Sequence, residues 1–363
     1  MNRHDPLLDA RRRFLGLTAG GALFVALPGC GKKDDAPPAT APAAPTTTST
    51  ETGPIALRFG INPWPGAMPF KTAEAHGLFK ANGLDVKLTL FSSISQMMDA
   101  FNAGQIDATL IDPGTLLVSA ANGVAQKFVF VSDFSNGADA IVVVPSIKSL
   151  GDLKGKSVSV EMGSIGHFLL LTGLARAGVA ASDVKLVNQT ADLALAAFAA
   201  GKTKVAVSYE PFISQVVKSG KGRVIFSTRE ASIAPDVVSM RQDFLERNPD
   251  AAVRLIRTWY DALAWRTQHM DEAVAVEAKA LDVSAEDYRS FGDGVRLVTD
   301  PNEAAKLMVT GESPDRTLEK ITVEVADFMK SQKLLEKDPP AATELIDDSH
   351  IKRYLAQPAG GKA

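Results

Sequence analysis

Apolar and polar positions alternate over residues 55–60, which predicts a short strand, and Asn62-Pro-Trp-Pro-Gly66 predicts a turn-forming loop behind it. Helical spacing follows over 68–79, with a stop near Gly77 or at Asn82-Gly83. Alternation returns over 84–91, Ser92-Ser93 caps a helix reaching Ala103, and 106–111 reads as a strand. Asp112-Pro113-Gly114 opens another helix that ends near Asn122-Gly123, and 128–131 is the next strand. This βαβαβα rhythm favours a parallel sheet with right-handed crossovers.

A fully apolar strand at 141–144 precedes Leu150-Gly-Asp-Leu-Lys-Gly155, where the rhythm restarts. Strands are expected at 157–161, 184–187, 205–208 and 224–227, with helices at 167–177, 191–200 and 211–218. Val237-Val238-Ser-Met240 predicts a strand returning to the first unit. Beyond Pro249 the pattern is helical: 249–266, 271–281, 284–291, 301–309 and 317–332. The expected fold is therefore α/β, with a second α/β lobe (143–235) inserted into the first (55–142 and 236–363) and a helical C-terminal region. Two chain crossings, near 140–145 and 228–238, make a hinge, and the cleft belongs where the C-terminal strand ends of both sheets meet.

The chain has 363 residues, enough for two lobes, and its 45% hydrophobic and 22% charged residues are those of a soluble globular protein. A net charge of -3, with its signs interleaved, speaks against a nucleic-acid partner. Five scattered histidines and one cysteine offer no metal-ligand spacing and no internal disulfide, so no metal or cofactor is expected. Residues 1–29 read as an export signal: Arg11-Arg12-Arg13-Phe14-Leu15 resembles a twin-arginine motif and is followed by a weakly apolar, glycine-rich run. Leu27-Pro28-Gly29-Cys30 resembles a lipobox, which would make Cys30 a lipidated first residue; the bland alternative is a buried free cysteine. Removing 1–29 takes away four basic and two acidic residues, leaving 35 basic against 40 acidic and a net of -5. Residues 30–54 are rich in Ala, Pro and Thr and read as a flexible tether.

The most suggestive stretch is 158–171, a β-branched strand running through a Gly163-Ser164 turn into an apolar helix. Gly163 would permit close backbone approach, Ser164 would cap the helix, and the first amides would face an oxygen-rich group. His167, one turn on, would reach the cleft or only cover the neighbouring loop. Trp64 would either cover a ligand or staple its loop to its own lobe. Ser92 and Ser93 repeat the strand–hydroxyl–helix motif, one as a cap and the other facing the cleft. Asp112 reads first as a turn and cap residue. Asn136, within Ser135-Asn-Gly-Ala-Asp139, faces the cleft or sits in a simple turn. Tyr209-Glu210-Pro211 places Glu210 at a strand end, where it binds a ligand donor or caps the next helix. No Arg or Lys falls in these strand-end motifs, and Lys71 is the nearest. Trp259, Tyr260 and Trp265 fall at core-like helical spacings.

In order along the chain, Trp64-Pro-Gly66, His76-Gly-Leu-Phe79, Asn82-Gly-Leu-Asp-Val86, Ala103-Gly-Gln-Ile-Asp-Ala108, Leu150–Lys156, Gly163-Ser164, Ala200-Gly-Lys202 and Tyr209-Glu-Pro211 resemble ABC-transporter substrate-binding proteins. The subgroup is the nitrate/sulfonate/taurine family, related to thiamine-pyrimidine binding and synthesis proteins. The resemblance runs from about residue 55 to about 248. It implies a two-lobed type II periplasmic binding protein, exported and lipid-anchored, acting as a monomer that delivers a small polar solute to a permease and ATPase. A sulfonate, taurine or nitrate is the first ligand class it implies. An aminopyrimidine or other nitrogenous ligand is the second, favoured by Glu210 and the scarcity of basic residues. An enzyme of the thiamine-pyrimidine synthesis type is the alternative, though no nucleophile–base pair is evident.

Overall fold

A computed structural model describes residues 53–231, 234–311, 313 and 316–357; the expected signal at 1–29, Cys30 and nearly all of the tether lie outside them. Strands β1 (Ile55–Ile61), β2 (Leu84–Leu90), β3 (Ala108–Ile111) and β4 (Gln126–Ser135) begin one sheet. The chain then builds a second sheet from β5 (Asp139–Val143), β6 (Ser157–Val160), β7 (Lys185–Asn188), β8 (Val205–Tyr209) and β9 (Arg223–Ser227). It returns to the first sheet with β10 (Pro235–Arg241) and β11 (Val295–Leu297). The strand orders are β11-β4-β10-β3-β1-β2 and β7-β6-β8-β5-β9.

Neither sheet is wholly parallel, contrary to the expectation from the βα rhythm. β1 runs parallel to β2 and β3, but β10 is antiparallel to both β3 and β4, and β5 is antiparallel to β8 and β9. The antiparallel pairs named arise at β5 and β10, the two strands that enter their sheet directly from the other one, and only residues 136–138 separate β4 from β5. The return passes through a short helix, Thr228–Ala231, and the two crossings are tied together. The Ser135 hydroxyl bonds that of Thr228 at 2.7 Å, and the Gly137 N–H donates to Thr228 Oγ1 at 2.9 Å.

Local chemistry explains the departures from the expected elements. The helix expected at 68–79 divides into Pro69–Ala75 and Leu78–Ala81 because Gly77 takes a left-handed φ of 68°. β4 outruns its apolar run because Ser132, Asp133 and Ser135 are buried, with Asp133 paired to β10 and Ser135 to β11. β11 and the helices Gln242–Arg247, Ala342–Leu345 and Ser349–Leu355 are short and have weak periodicity. In the tail, Trp259 and Tyr260 are buried as expected, but Trp265 is half-buried and stacks on His76 and His269 at 3.7 and 4.6 Å between ring centroids. Helix Leu318–Ser331 packs on Pro113–Ala121, and its Phe328 meets Phe168 of helix Ile165–Arg176 edge-on at 4.8 Å. The tail thus touches elements around both sheets.

Candidate ligand-binding site

A cleft opens where the two crossings meet the C-terminal ends of β1, β3 and β8, with an empty volume of about 290 Å³ counting the part open to solvent. Its walls are Asn62, Trp64, Ile94 and Ile111 on one side and Ile165 and Tyr209 on the other, with Ser135, Asp139, Ala234 and Asp236 from the crossings. This is the usual ligand position in open α/β sheets.

The floor is set by strand register. In the antiparallel pairing of β4 with β10, Asp133 lies opposite Asp236; in that of β5 with β8, Asp139 lies opposite Tyr209. Like charges placed directly across a sheet repel, and all three carboxyls are buried. Burial pushes Asp133 up to about 6 and Asp139 up to about 7. Asp236 rises well above the ordinary range, through burial first and then the charges of Asp133, Asp112 and Asp139. Within the Asp133–Asp236 pair, the upward push is the stronger on Asp236. Asp133 is the better solvated by donors, accepting from Trp64 Nε1 at 2.9 Å and from the Ser132 hydroxyl at 2.8 Å.

Trp64 staples its loop to Asp133, the second of its expected alternatives, and it also walls the cleft. Its ring meets Tyr209 edge-on, with centroids 6.3 Å apart. Gly66 is required beneath it, since a Cβ there would collide with Asp133 Oδ1 and Trp64 Nε1. Two polar atoms of the cleft wall remain without partners. Asn62 Oδ1 and the Tyr209 hydroxyl are buried, at 3% and 4% exposure for their residues, and neither has a hydrogen bond. Burial raises the Tyr209 pKa. Asn62 sits close enough to temper that rise, but without completing a bond.

Most of the other expected residues have turned to local duties. Ser164 stands at the N-cap position, but its hydroxyl donates back to the Glu161 carbonyl at 2.7 Å and does not cap the helix. Gly163 has open space at its Cβ; a φ of +80°, not a close approach, is what calls for glycine. His167 Nδ1 accepts from the Gly163 N–H at 3.4 Å, and burial lowers the pKa of the ring, so it covers its own loop. Asp112 caps Pro113–Ala121 by accepting from the N–H and hydroxyl of Thr115 at 2.9 and 2.6 Å. Ser93 caps Ile94–Asn102, and exposed Ser92 donates to Gln96. Asn136 is exposed, and its carbonyl accepts from Arg229. Glu210 accepts from the N–H and hydroxyl of Ser214 at 3.0 and 2.9 Å, as a cap. Lys71 pairs with Glu74 at the surface.

Sequence reasoning missed Asn62, Asp133, Asp139 and Asp236 as site residues. Their signal was legible in principle: Asp133 and Asp236 are charged residues inside apolar strands, and unpaired buried carboxylates are rare. It also missed Glu161. Across the cleft, Glu161 Oε1 accepts from the Ser95 N–H at 2.8 Å and its hydroxyl at 2.5 Å, at the start of helix Ile94–Asn102, while Oε2 has no partner.

Residues 51–281 match the model of the NMT1-like family. The taurine-binding periplasmic protein of Escherichia coli (strain K12) is 26% identical over 279 residues, covering 73% of this chain and 84% of that protein. Among solved structures, the alkanesulfonate-binding protein SsuA from Xanthomonas axonopodis pv. citri superposes with a TM-score of 0.69 at 20% identity, over 81% of this chain and 99% of that one. The periplasmic aliphatic sulphonate binding protein SsuA from Escherichia coli gives 0.68 at 24% identity, over 81% and 92%. These likenesses show the fold: a type II periplasmic binding protein with two mixed sheets and C-terminal helices.

Proposed function

The chain belongs to the NMT1-like family and is a binding protein, the solute-binding component of an ABC importer; from that premise we propose that it captures a small polar solute in the cleft at the crossings by hinge closure. The lobes that close are 55–142 with 236–363, and 143–235. The mature chain works outside the cytoplasm, begins at a lipid-bearing Cys30, and hands its solute to a permease. The observation that carries this reading is the buried cleft whose walls come from both sheets and whose floor is the two crossings, so that one solute touches both lobes. Sulfonates, taurine and nitrate, carried over from the relatives, are the first class to test.

The test is a thermal-shift screen of polar solutes on chain 30–363, followed by calorimetry and small-angle scattering. Expected is a solute that binds one to one and compacts the chain, with at least about tenfold weaker binding to Trp64→Ala, which loses a cleft wall. One-to-one binding that Trp64→Ala leaves unchanged would place the site elsewhere. No solute that compacts the chain would sink hinge capture.

A further inference from the structure

We propose that the cleft selects a compact cationic nitrogen base, of the ammonium, amidinium or guanidinium type, and rejects the simple anions suggested by the relatives. The inference rests on the capture reading above and names the ligand class of the same site.

Four observations converge on it. First, Asp139 and Asp236 line the cleft, and Asp133 stands directly behind Trp64 opposite Asp236, while none of the lining residues is Lys or Arg. With Asp139 raised to about 7 and Asp133 to about 6, an anion placed here near neutral pH would meet the ionised share of these two groups with no basic side chain in the wall to offset it. Second, Asn62 Oδ1 is a buried acceptor without a donor, and the buried Tyr209 hydroxyl is likewise unmatched. The Tyr209 hydroxyl is a donor close to Asn62 Oδ1, and an N–H from the ligand would meet the acceptor capacity the pair leaves over. Third, of the two helix starts beside the cleft, that of Ile94–Asn102 is already filled by the chain's own carboxylate, Glu161, and that of Ile165–Arg176 has no side-chain cap. Fourth, the apolar and aromatic walls, Trp64, Tyr209, Ile94, Ile111 and Ile165, present ring faces and edges that suit a flat or compact cation.

The charge surroundings of Asp139 agree with this assignment. Asp112, Asp133 and Glu210 act on it with the same sign, and Asp139 in turn acts on Asp236. Glu161 and Asp192 join Asp139 in acting on Tyr209, and the basic group that reaches Asp133 is Arg296, from β11. A cation entering this field favours ionisation of Asp139 and Asp236 and so expels protons. An anion could be held only by protonated carboxyls donating to it, and its entry would take protons up.

The experiment is calorimetry of chain 30–363 at pH 7 in two buffers of different ionisation enthalpy. The probes are acetamidine, methylguanidine and ethylenediamine in one arm, ethanesulfonate and nitrate in the other. Expected are binding of at least one cationic probe with proton release, tighter binding at pH 8 than at pH 6, and a loss of about tenfold or more in Asp139→Asn, the scale of one charge-assisted hydrogen bond. Thermal unfolding of Asp139→Asn shows that the variant is folded. Binding of ethanesulfonate or nitrate with proton uptake, and not of the cations, overturns the ligand class while leaving capture intact. Binding of neither set also overturns it, and the solute screen then decides capture separately.

Discussion

Compare the floor of the cleft, where Asp133 faces Asp236 and Asp139 faces Tyr209 across neighbouring strands, with its rim, where helices begin at Ser93 and Ser164. The rim is largely tied up: Ser93 caps, Ser164 bonds a carbonyl, and Glu161 takes the donors of Ser95, with Glu161 Oε2 alone of these left without a partner. The floor is not, since its carboxyls are crowded and Asn62 Oδ1 and the Tyr209 hydroxyl have no partner. Groups that satisfy one another have little left to offer a ligand, whereas groups left strained by like charge gain most when a ligand arrives. The difference teaches that a strand–serine–helix motif can stand beside a cleft with its hydroxyl already engaged elsewhere.

The sharpest way to break this contrast is Trp64→Ala. It leaves Asp133 without its indole donor and opens a void, and a loss of about 3–5 kcal/mol in denaturant unfolding is expected; a loss under about 1 kcal/mol would show the floor to be loosely built. Next comes pH. Asp133 and Asp139 have folded values of about 6 and about 7, both above the ordinary carboxyl value of about 4. Between about pH 4 and pH 7 the folded chain binds more protons than the unfolded chain. The empty protein should therefore lose several kcal/mol, up to about 7, as pH rises through that window. Asp347, held below the ordinary range mainly by its hydrogen bond to His350, acts with the opposite sign only below about pH 4. Asp139→Asn should flatten the curve, and an unchanged slope would remove Asp139 as its source.

Smaller effects probe the rim. Glu161→Ala vacates the helix start at Ser95, so sulfate should gain weak affinity and the empty chain should expand in solution scattering. The lost contact is a charge-assisted one of about 1.5–3 kcal/mol. No expansion would show that Glu161 does not hold the rim closed. Smallest is Ser164→Ala, expected to cost under about 1 kcal/mol and to change solute affinity less than about threefold, because its hydroxyl serves a local turn. A large loss of affinity would return Ser164 to the binding surface.

Much of the architecture was readable because period and punctuation agree: alternation over β1 and β2, serine and aspartate caps, and glycine stops all fall near their observed places. Strand direction was not readable, because it depends on which strands enter a sheet from the other one, and no local window contains that. The site was legible only in location. Trp64 and Tyr209, which line the cleft, were legible because aromatic residues near strand ends announce themselves. Asp133 and Asp236 were not, since their meaning comes from a cross-strand register that no local window contains. Glu210 and Asp112 looked like candidates because a cap and a ligand contact use the same residue types at the same strand ends.

One feature of the floor has a use at the bench. The chain contains three tryptophans. Trp259 is sealed in the core and Trp265 lies between two histidines, while Trp64 donates its indole hydrogen to a carboxylate in the wall of the cleft. Any solute that alters the charge on that carboxylate alters the electric field along the indole. The ultraviolet emission of the unlabelled protein should therefore report occupancy, and Trp64→Phe should leave the remaining glow indifferent to it.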